Sequence, residues 1–324
     1  MKVVIPVAGA GTRLRPHTHA LPKPLLRVGD KPILAHLLDP VMKLDPEEVI
    51  FVIGFRGEMI REFVESNYRF KASFVEQDRL LGLGYALDMA VREIDDGDLM
   101  VILGDTIVEC DLHKFITAGD YVLGVRQVDN PERFGIVTVE NGYVVDAVEK
   151  PDEPHSNLAI IGLYYFKDVR PLKKALDEHV KSGHTTRGEI QLTDALQLMI
   201  HDGVKFVPYE VAEWFDCGKK ETMLSTNRHL LAALKHEPQV DNSVVVDPVF
   251  VDPTARVVNS VIGPGVSIGE GAVVRNSILR NSIIGDQTLI ENMNIEDSLV
   301  GNSVTLRGSR LVLNVGDHTD SSHI

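Results

Sequence analysis

Cysteine is scarce: only Cys110 and Cys217 occur in 324 residues. Two cysteines without metal-ligand spacing build neither a disulfide framework nor a zinc site, and they agree with a reducing compartment in which both are structural. Long apolar runs are missing too. The start MKVVIPVAG carries one Lys before a short run that breaks at Pro6, too brief for a secretory signal or a membrane span. The expected location is therefore cytoplasmic. Positive charge is in deficit, with 33 Lys and Arg against 47 Asp and Glu and a net charge of -14. Such a chain repels nucleic acid and anionic membranes, so neither is expected as a partner. An anionic substrate must then be met by a local basic site. Histidine is absent over one long stretch: none of the twelve lies between His236 and His318.

What is present reads as an ordinary globular protein. Apolar residues make up 44% and charged residues 25%, which excludes a disordered or collagen-like chain. The length exceeds the usual span of one hydrophobic core, so two domains are expected. From residue 1 to about 105, short β-rich runs at 2–8, 49–53, 72–75 and 99–103 alternate with helical patterns starting at Lys31, Gly57 and Gly84. That order predicts a parallel sheet. Strands at 121–126, 136–139, 144–148 and 160–166 extend it as a mixed sheet, with helices at 169–180 and 191–201. Leu224, Leu231 and Leu234 lie on one helical face before Glu237-Pro238 stops the pattern. The first domain is read as 1–236.

Beyond it the texture changes. Aliphatics recur every five or six residues at Val251, Val257, Ile262, Ile268, Val274, Leu279, Ile284, Ile290, Ile295, Val300 and Leu306. No helix or simple strand has that period. Segments such as Ile262-Gly263-Pro264-Gly265-Val266 resemble the hexapeptide repeat of left-handed parallel β-helices, each aliphatic pointing into a triangular prism. This second module is read as 240–316, followed by a disordered tail at 317–324.

Directly after the first strand stands Ala8-Gly9-Ala10-Gly11-Thr12-Arg13-Leu14. A glycine-rich turn at the carboxyl end of a strand is where open α/β sheets bind ligands, and its backbone N–H groups approach phosphate oxygens closely. The dinucleotide fingerprint fails, because Leu14 occupies the third glycine position, and no Gly-Lys-Ser or Gly-Lys-Thr follows for a Walker loop. Arg13, Arg15, Lys23, Arg27 and Lys31 crowd the next stretch with only Asp30 opposing them. Alone, such a stretch is as often a solvated face; beside the glycine loop it points to a triphosphate.

Gly9-x-Gly11-Thr12-Arg13-Leu14-x-Pro16, Pro22-Lys23-Pro24-Leu25 and Lys31-Pro32-Ile33-Leu34 resemble the signature of the sugar-phosphate nucleotidyltransferase family. The resemblance continues in family order through Leu103-Gly104-Asp105, Glu149-Lys150-Pro151, Ser156-Asn157 with Gly162-Leu163-Tyr164, Arg187-Gly188-Glu189-Ile190 and Trp214-Phe215-Asp216-Cys217-Gly218. It is nearest to long-form glucose-1-phosphate thymidylyltransferases, which carry a β-helix after the catalytic domain. The start Ile5-Pro6-Val7-Ala8-Gly9 is also similar to UTP-glucose-1-phosphate uridylyltransferases, and Ala10 stands where thymidylyltransferases usually have a second glycine. The fold so implied is α/β, a Rossmann-like mixed-sheet domain followed by a left-handed β-helix.

The resemblance implies a Mg²⁺-dependent reaction in which a sugar 1-phosphate, glucose 1-phosphate first, attacks dTTP or UTP and pyrophosphate leaves. It places Mg²⁺ on Asp105 and Asp216, hard oxygen ligands for a hard cation. Arg13 and Lys23 would contact the triphosphate, with Ala8, Gly9, Gly11, Thr12, Gln77 and Gly82 completing the nucleotide site. A Gln77 amide that accepts from N3–H of thymine or uracil would reject cytosine. Lys150 and Arg187 would hold the sugar phosphate and Glu149 the sugar hydroxyls, while Gly135 and Gly162 leave room for the ring. Hexapeptide-repeat acyltransferases usually employ a His base, so the His-free repeats read as an assembly or allosteric module, and a homo-oligomer is expected. Other classes stay open: a GDP-mannose-type or other NDP-sugar pyrophosphorylase, and a noncatalytic nucleotide-sugar-sensing subunit.

Overall fold

In the first β-run, neighbouring residues part company. Val3 and Ile5 join one buried cluster with Val49, Phe51 and Ile53, whereas Val4 joins another with Ile50, Val52 and Val101. Alternation at a period of two sends successive side chains to opposite faces, so each strand feeds two cores. In the computed structural model, which describes residues 1–309, these strands form the centre of a nine-stranded sheet. Its main path runs Tyr143–Glu149, Gly135–Glu140, Leu158–Phe166, Leu99–Ile102, Lys2–Pro6, Glu48–Ile53 and Ala72–Glu76. The last four strands of that path are mutually parallel, and Leu158–Phe166 joins them antiparallel. All six residues of Glu48–Ile53 are buried, as expected of a parallel strand covered on both faces.

Helices Leu83–Val91, Arg170–Ser182 and Leu192–His201 cover one face through Leu87, Leu172, Leu176 and Leu196. The other face is covered by Ile33–Met42 and Gly57–Asn67 through Leu34, Leu38, Ile60 and Val64. The helix expected from Lys31 begins two residues later, because Lys31–Pro32 is a short strand and Pro32 caps the helix. Two strands absent from the sequence reading, Thr106–Glu109 and Glu213–Asp216, pair antiparallel with Thr106 opposite Asp216. This small ribbon matters for the site.

The second architecture is a left-handed parallel β-helix of three four-stranded parallel sheets. The eleven aliphatics of the five-to-six period sort into its three inward ladders. Ile262, Leu279 and Ile295 form one. Val251, Ile268, Ile284 and Val300 form the next. Val257, Val274, Ile290 and Leu306 form the third. Successive turns lie 17 or 16 residues apart, so three short repeats make one turn and a period of five to six is a triangle unrolled. One corner is an asparagine column, Asn242, Asn259, Asn276 and Asn292, each at positive φ and each side chain hydrogen-bonded to the next. Asparagine tolerates this left-handed conformation better than other residues with a Cβ.

The chain divides into two compact units, Met1–Leu26 with Lys31–Met223, and Arg27–Asp30 with the residues from Leu224. The division falls inside helix Lys220–Ala233, ahead of the 236–240 linker read from the sequence. Asn227 explains the difference. Fully buried, it accepts from Gly29 N and Ser267 Oγ and donates to Gly265 O, which ties the second half of this helix to the repeats. The tail at 317–324 lies outside the described residues, as does the end of 240–316.

Candidate functional site

The carboxyl ends of the parallel strands converge on one edge of the sheet. Pro6 runs into the glycine loop, Ile53 O accepts from Gln77 N at 2.8 Å, and Gly104 N donates to Pro6 O at 3.2 Å. Gly104 is required here by space: a Cβ would stand 2.2 Å from Val7 Cγ1. Its bareness lets Leu103-Gly104-Asp105 lie against the loop. Gly11 takes φ of 58°, and its carbonyl accepts from Thr18 Oγ1 at 3.0 Å.

A cleft of about 450 Å³ opens at this edge, lined by Ala8, Gly9, Gly11, Thr12, Arg13, Lys23, Gln77 and Gly82 together with Asp105. A second cleft of about 750 Å³ adjoins it, lined by Gly135, Glu149, Lys150, Gly162, Arg187 and Asp216. Arg13, Leu83, Leu103 and Asp105 line both. Every residue singled out for the nucleotide thus lies on the first cleft and every residue singled out for the sugar phosphate on the second. They meet at Arg13 and Asp105.

At that junction Lys23, 6% exposed, reaches Asp105 Oδ2 at 2.8 Å and Asp216 Oδ1 at 3.9 Å. The ribbon of Thr106–Glu109 with Glu213–Asp216 sets the two carboxylates side by side, since Thr106 and Asp216 are register partners. Gly218 completes the arrangement. A Cβ there would stand 2.8 Å from Asp216 Oδ1 and 3.3 Å from the Arg13 guanidinium. No group of three or more His, Cys, Asp or Glu suited to a metal occurs among the described residues. Two convergent carboxylates fit a hard cation that keeps water and takes further oxygens from substrate phosphates.

In the second cleft Glu149 is gripped from both sides, Oε1 by Lys150 Nζ at 2.8 Å and Oε2 by Thr193 Oγ1 at 2.6 Å. The two glycines expected to leave room for the sugar ring line this cleft, and each also faces protein closely. A Cβ on Gly135 would meet Thr193 Oγ1 at 2.7 Å and Glu149 Oε2 at 2.9 Å, and one on Gly162 would meet Leu103 Cδ1 at 2.6 Å. Arg187 donates to Lys150 O at 3.2 Å and to the Asp152 carboxylate. With φ of 56° at Arg187 and 81° at Gly188, and mutual backbone hydrogen bonds between Thr186 and Glu189, the segment is a tight hairpin turn. Burial and the Glu149 charge push the Tyr164 phenol well above its ordinary value, so it stays protonated. Burial likewise raises the Cys110 thiol to about 11, which makes it a poor nucleophile at neutral pH.

Among the lining residues that the sequence reading did not assign to the site, three stand out. Thr193 and Gln191 sit at the start of helix Leu192–His201, and nothing in their local pattern separates them from helix-capping residues. Trp214 packs edge-on against Phe134 at 5.3 Å, with Nε1 buried and without a hydrogen-bond partner among the described residues. As the one tryptophan in the chain, set two residues before Asp216, it carried a compositional signal.

Comparison with known proteins follows the same two-part division. A family model described as Nucleotidyl transferase matches residues 2–233, and one described as GlmU-like, C-terminal hexapeptide matches residues 232–283. The low-salt glycan biosynthesis nucleotidyltransferase of Haloferax volcanii is 32% identical over 94% of this chain and 94% of its own length. A glucose-1-phosphate thymidylyltransferase of Streptomyces griseus is 30% identical, with 98% of each chain covered. The solved structure of UDP-glucose pyrophosphorylase complexed with UDP-glucose shares the fold, with a TM-score of 0.63 at 24% identity over 70% of this chain and 97% of that one.

Proposed function

Because the chain belongs to the nucleotidyl transferase family, we propose that it couples a sugar 1-phosphate, glucose 1-phosphate first, to dTTP or UTP and releases pyrophosphate. The observation that carries this reading is the junction of the two clefts at Arg13 and Asp105. A nucleotide in one and a sugar phosphate in the other bring their phosphates together where Lys23, Asp105 and Asp216 stand. The attacking phosphate oxygen is already an anion, so no general base is needed. Positioning and charge stabilisation do the rest.

Arg13 and Lys23 stabilise negative charge growing on the departing pyrophosphate. Lys150 and Arg187 hold the sugar phosphate, and Glu149, aimed by Lys150 and Thr193, accepts hydrogen bonds from sugar hydroxyls. Asp105 and Asp216 would hold a divalent cation, Mg²⁺ in our reading. When bound, that ion neutralises charge on the reacting phosphate oxygens. Gln77 reads the base: an amide oxygen accepts from N3–H of thymine or uracil, whereas cytosine presents no such donor. A reaction fed by nucleoside triphosphates belongs in the cytoplasm, and we assign the repeats to self-assembly.

The test is pyrophosphate release measured across a matrix of nucleoside triphosphates and sugar 1-phosphates. Turnover is expected with UTP and dTTP and little with CTP. Turnover confined to GTP with mannose 1-phosphate would move the protein to the GDP-mannose class. Nucleotide-sugar binding without any pyrophosphate release would make it a noncatalytic sensor.

A further inference from the structure

We infer that Glu189 accepts a hydrogen bond from a hydroxyl on the pentose of the nucleoside triphosphate; the inference rests on the nucleotide site proposed above. Glu189 and Asp105 are the two acidic residues on the smaller cleft among the described residues. Asp105 is engaged by Lys23. The Glu189 carboxylate instead accepts from a neutral group, Gln191 Nε2, at 3.0 Å. The cleft also carries the glycine loop and the cations Arg13 and Lys23, and a carboxylate would repel a triphosphate laid directly against it. An ionised carboxylate only accepts. It therefore fits the part of a bound nucleotide that offers donors, and on the pentose those are hydroxyls.

Position supports the same assignment. Ile190 N donates to Leu81 O at 2.7 Å and Gly84 N donates to Ile190 O at 2.8 Å, so the hairpin is laced to the 81–84 segment. Gly82, at φ of 110°, passes so close that a Cβ would stand 2.9 Å from Glu189 Cβ. Glu189 thus stands beside the segment that the reading gives to the base, where the pentose must pass between base and phosphates. The hairpin is itself braced: Thr186 Oγ1 donates to Asp194 Oδ2 at 2.8 Å. One turn delivers Arg187 to the sugar-phosphate cleft and Glu189 to the nucleotide cleft. The hairpin backbone that carries Glu189 is thus fixed on two sides, which limits the ordering that binding must still impose.

Equilibrium binding of UTP, dUTP and 3′-deoxy-UTP to the intact protein and to its Glu189→Ala and Glu189→Gln variants tests the inference. The deoxy compounds each lack one hydroxyl and nothing else. The unsubstituted protein is expected to bind one of them about tenfold more weakly than UTP. Glu189→Ala should erase that difference, and Glu189→Gln, which keeps an acceptor oxygen and the bond to Gln191, should retain part of it. If Glu189→Ala keeps the native ratio for both hydroxyls, or shifts the UTP to CTP ratio instead, the inference fails. Binding is read without turnover. A protein that shows the pentose effect but releases no pyrophosphate would overturn the transferase reading alone, whereas unchanged ratios in an active enzyme would overturn the pentose contact alone.

Discussion

Asp105 and Asp216 carry the sharpest expectation of any single side chains. Replacing either by Ala should lower pyrophosphate release in the presence of Mg²⁺ by about 10² or more, the scale of losing one major electrostatic stabiliser. Retention of more than about a tenth of native activity by both variants would remove the metal from this pair. Lys23 and Lys150 should separate kinetically. Lys23 sits at the junction, and in the proposed reaction it would act on charge that grows as pyrophosphate departs, so Lys23→Ala should depress kcat more than it raises KM for the nucleotide. Lys150→Ala should raise KM for the sugar phosphate; the opposite pattern would exchange the two roles. From the sequence, Lys23 was readable as a cation near a glycine loop. That its ammonium bridges two carboxylates far apart in the chain was not.

At the scale of elements, the 186–189 hairpin tests whether glycine is needed for its backbone conformation. A Cβ on Gly188 meets nothing within 4 Å, yet its φ of 81° is left-handed. Gly188→Ala should therefore strain the turn by about 1 kcal/mol without a clash. Steady-state kinetics should show a raised KM for the sugar phosphate, since Arg187 is the preceding residue. Unchanged KM would mean the turn does not position Arg187.

Helix Arg170–Ser182 carries a pH-dependent element. Burial pushes the His179 imidazole below its ordinary value of 6.5, with the Asp194 carboxylate 3.5 Å away opposing that shift and the nearby His184 adding to it. The folded state therefore resists protonation, and the unfolded chain binds the proton first as pH falls. The stability tied to neutral His179 is complete above about pH 6.5 and is lost as pH drops through the lower folded value. Urea unfolding at pH 7 and pH 5 should show a smaller drop for His179→Gln than for the native protein. Equal drops would mean the acid sensitivity lies elsewhere. The helix itself was legible from its spacing; its buried histidine was not, because the pattern gives no depth.

For the molecule as a whole, the second unit is held by polar contacts as well as by aliphatic ladders. Asn227 satisfies Gly29 N, Ser267 Oγ and Gly265 O inside it. Asn227→Ala leaves those groups buried without partners and should destabilise this unit by roughly 1–3 kcal/mol. Thermal unfolding followed by circular dichroism should resolve an earlier transition, while pyrophosphate release at 25 °C should change little. A single unshifted transition would show that the network adds nothing net.

Periodicity and local chemistry determined much of this protein before any coordinates. A five-to-six repeat of aliphatics has one economical burial, the interior of a three-sided coil, and all eleven of those residues lie on its inward ladders. A glycine loop at a strand end marked one edge of the sheet, because strand and turn signals are encoded within a few residues. Tertiary structure alone decided the rest. The ribbon that seats Asp216 beside Asp105 joins short strands remote in sequence, and the grip of Thr193 on Glu149 joins a helix start to a strand end. Each depends on long-range pairing with no local period to announce it. The site lies where the chain returns to itself, and that return is a property of the packed fold.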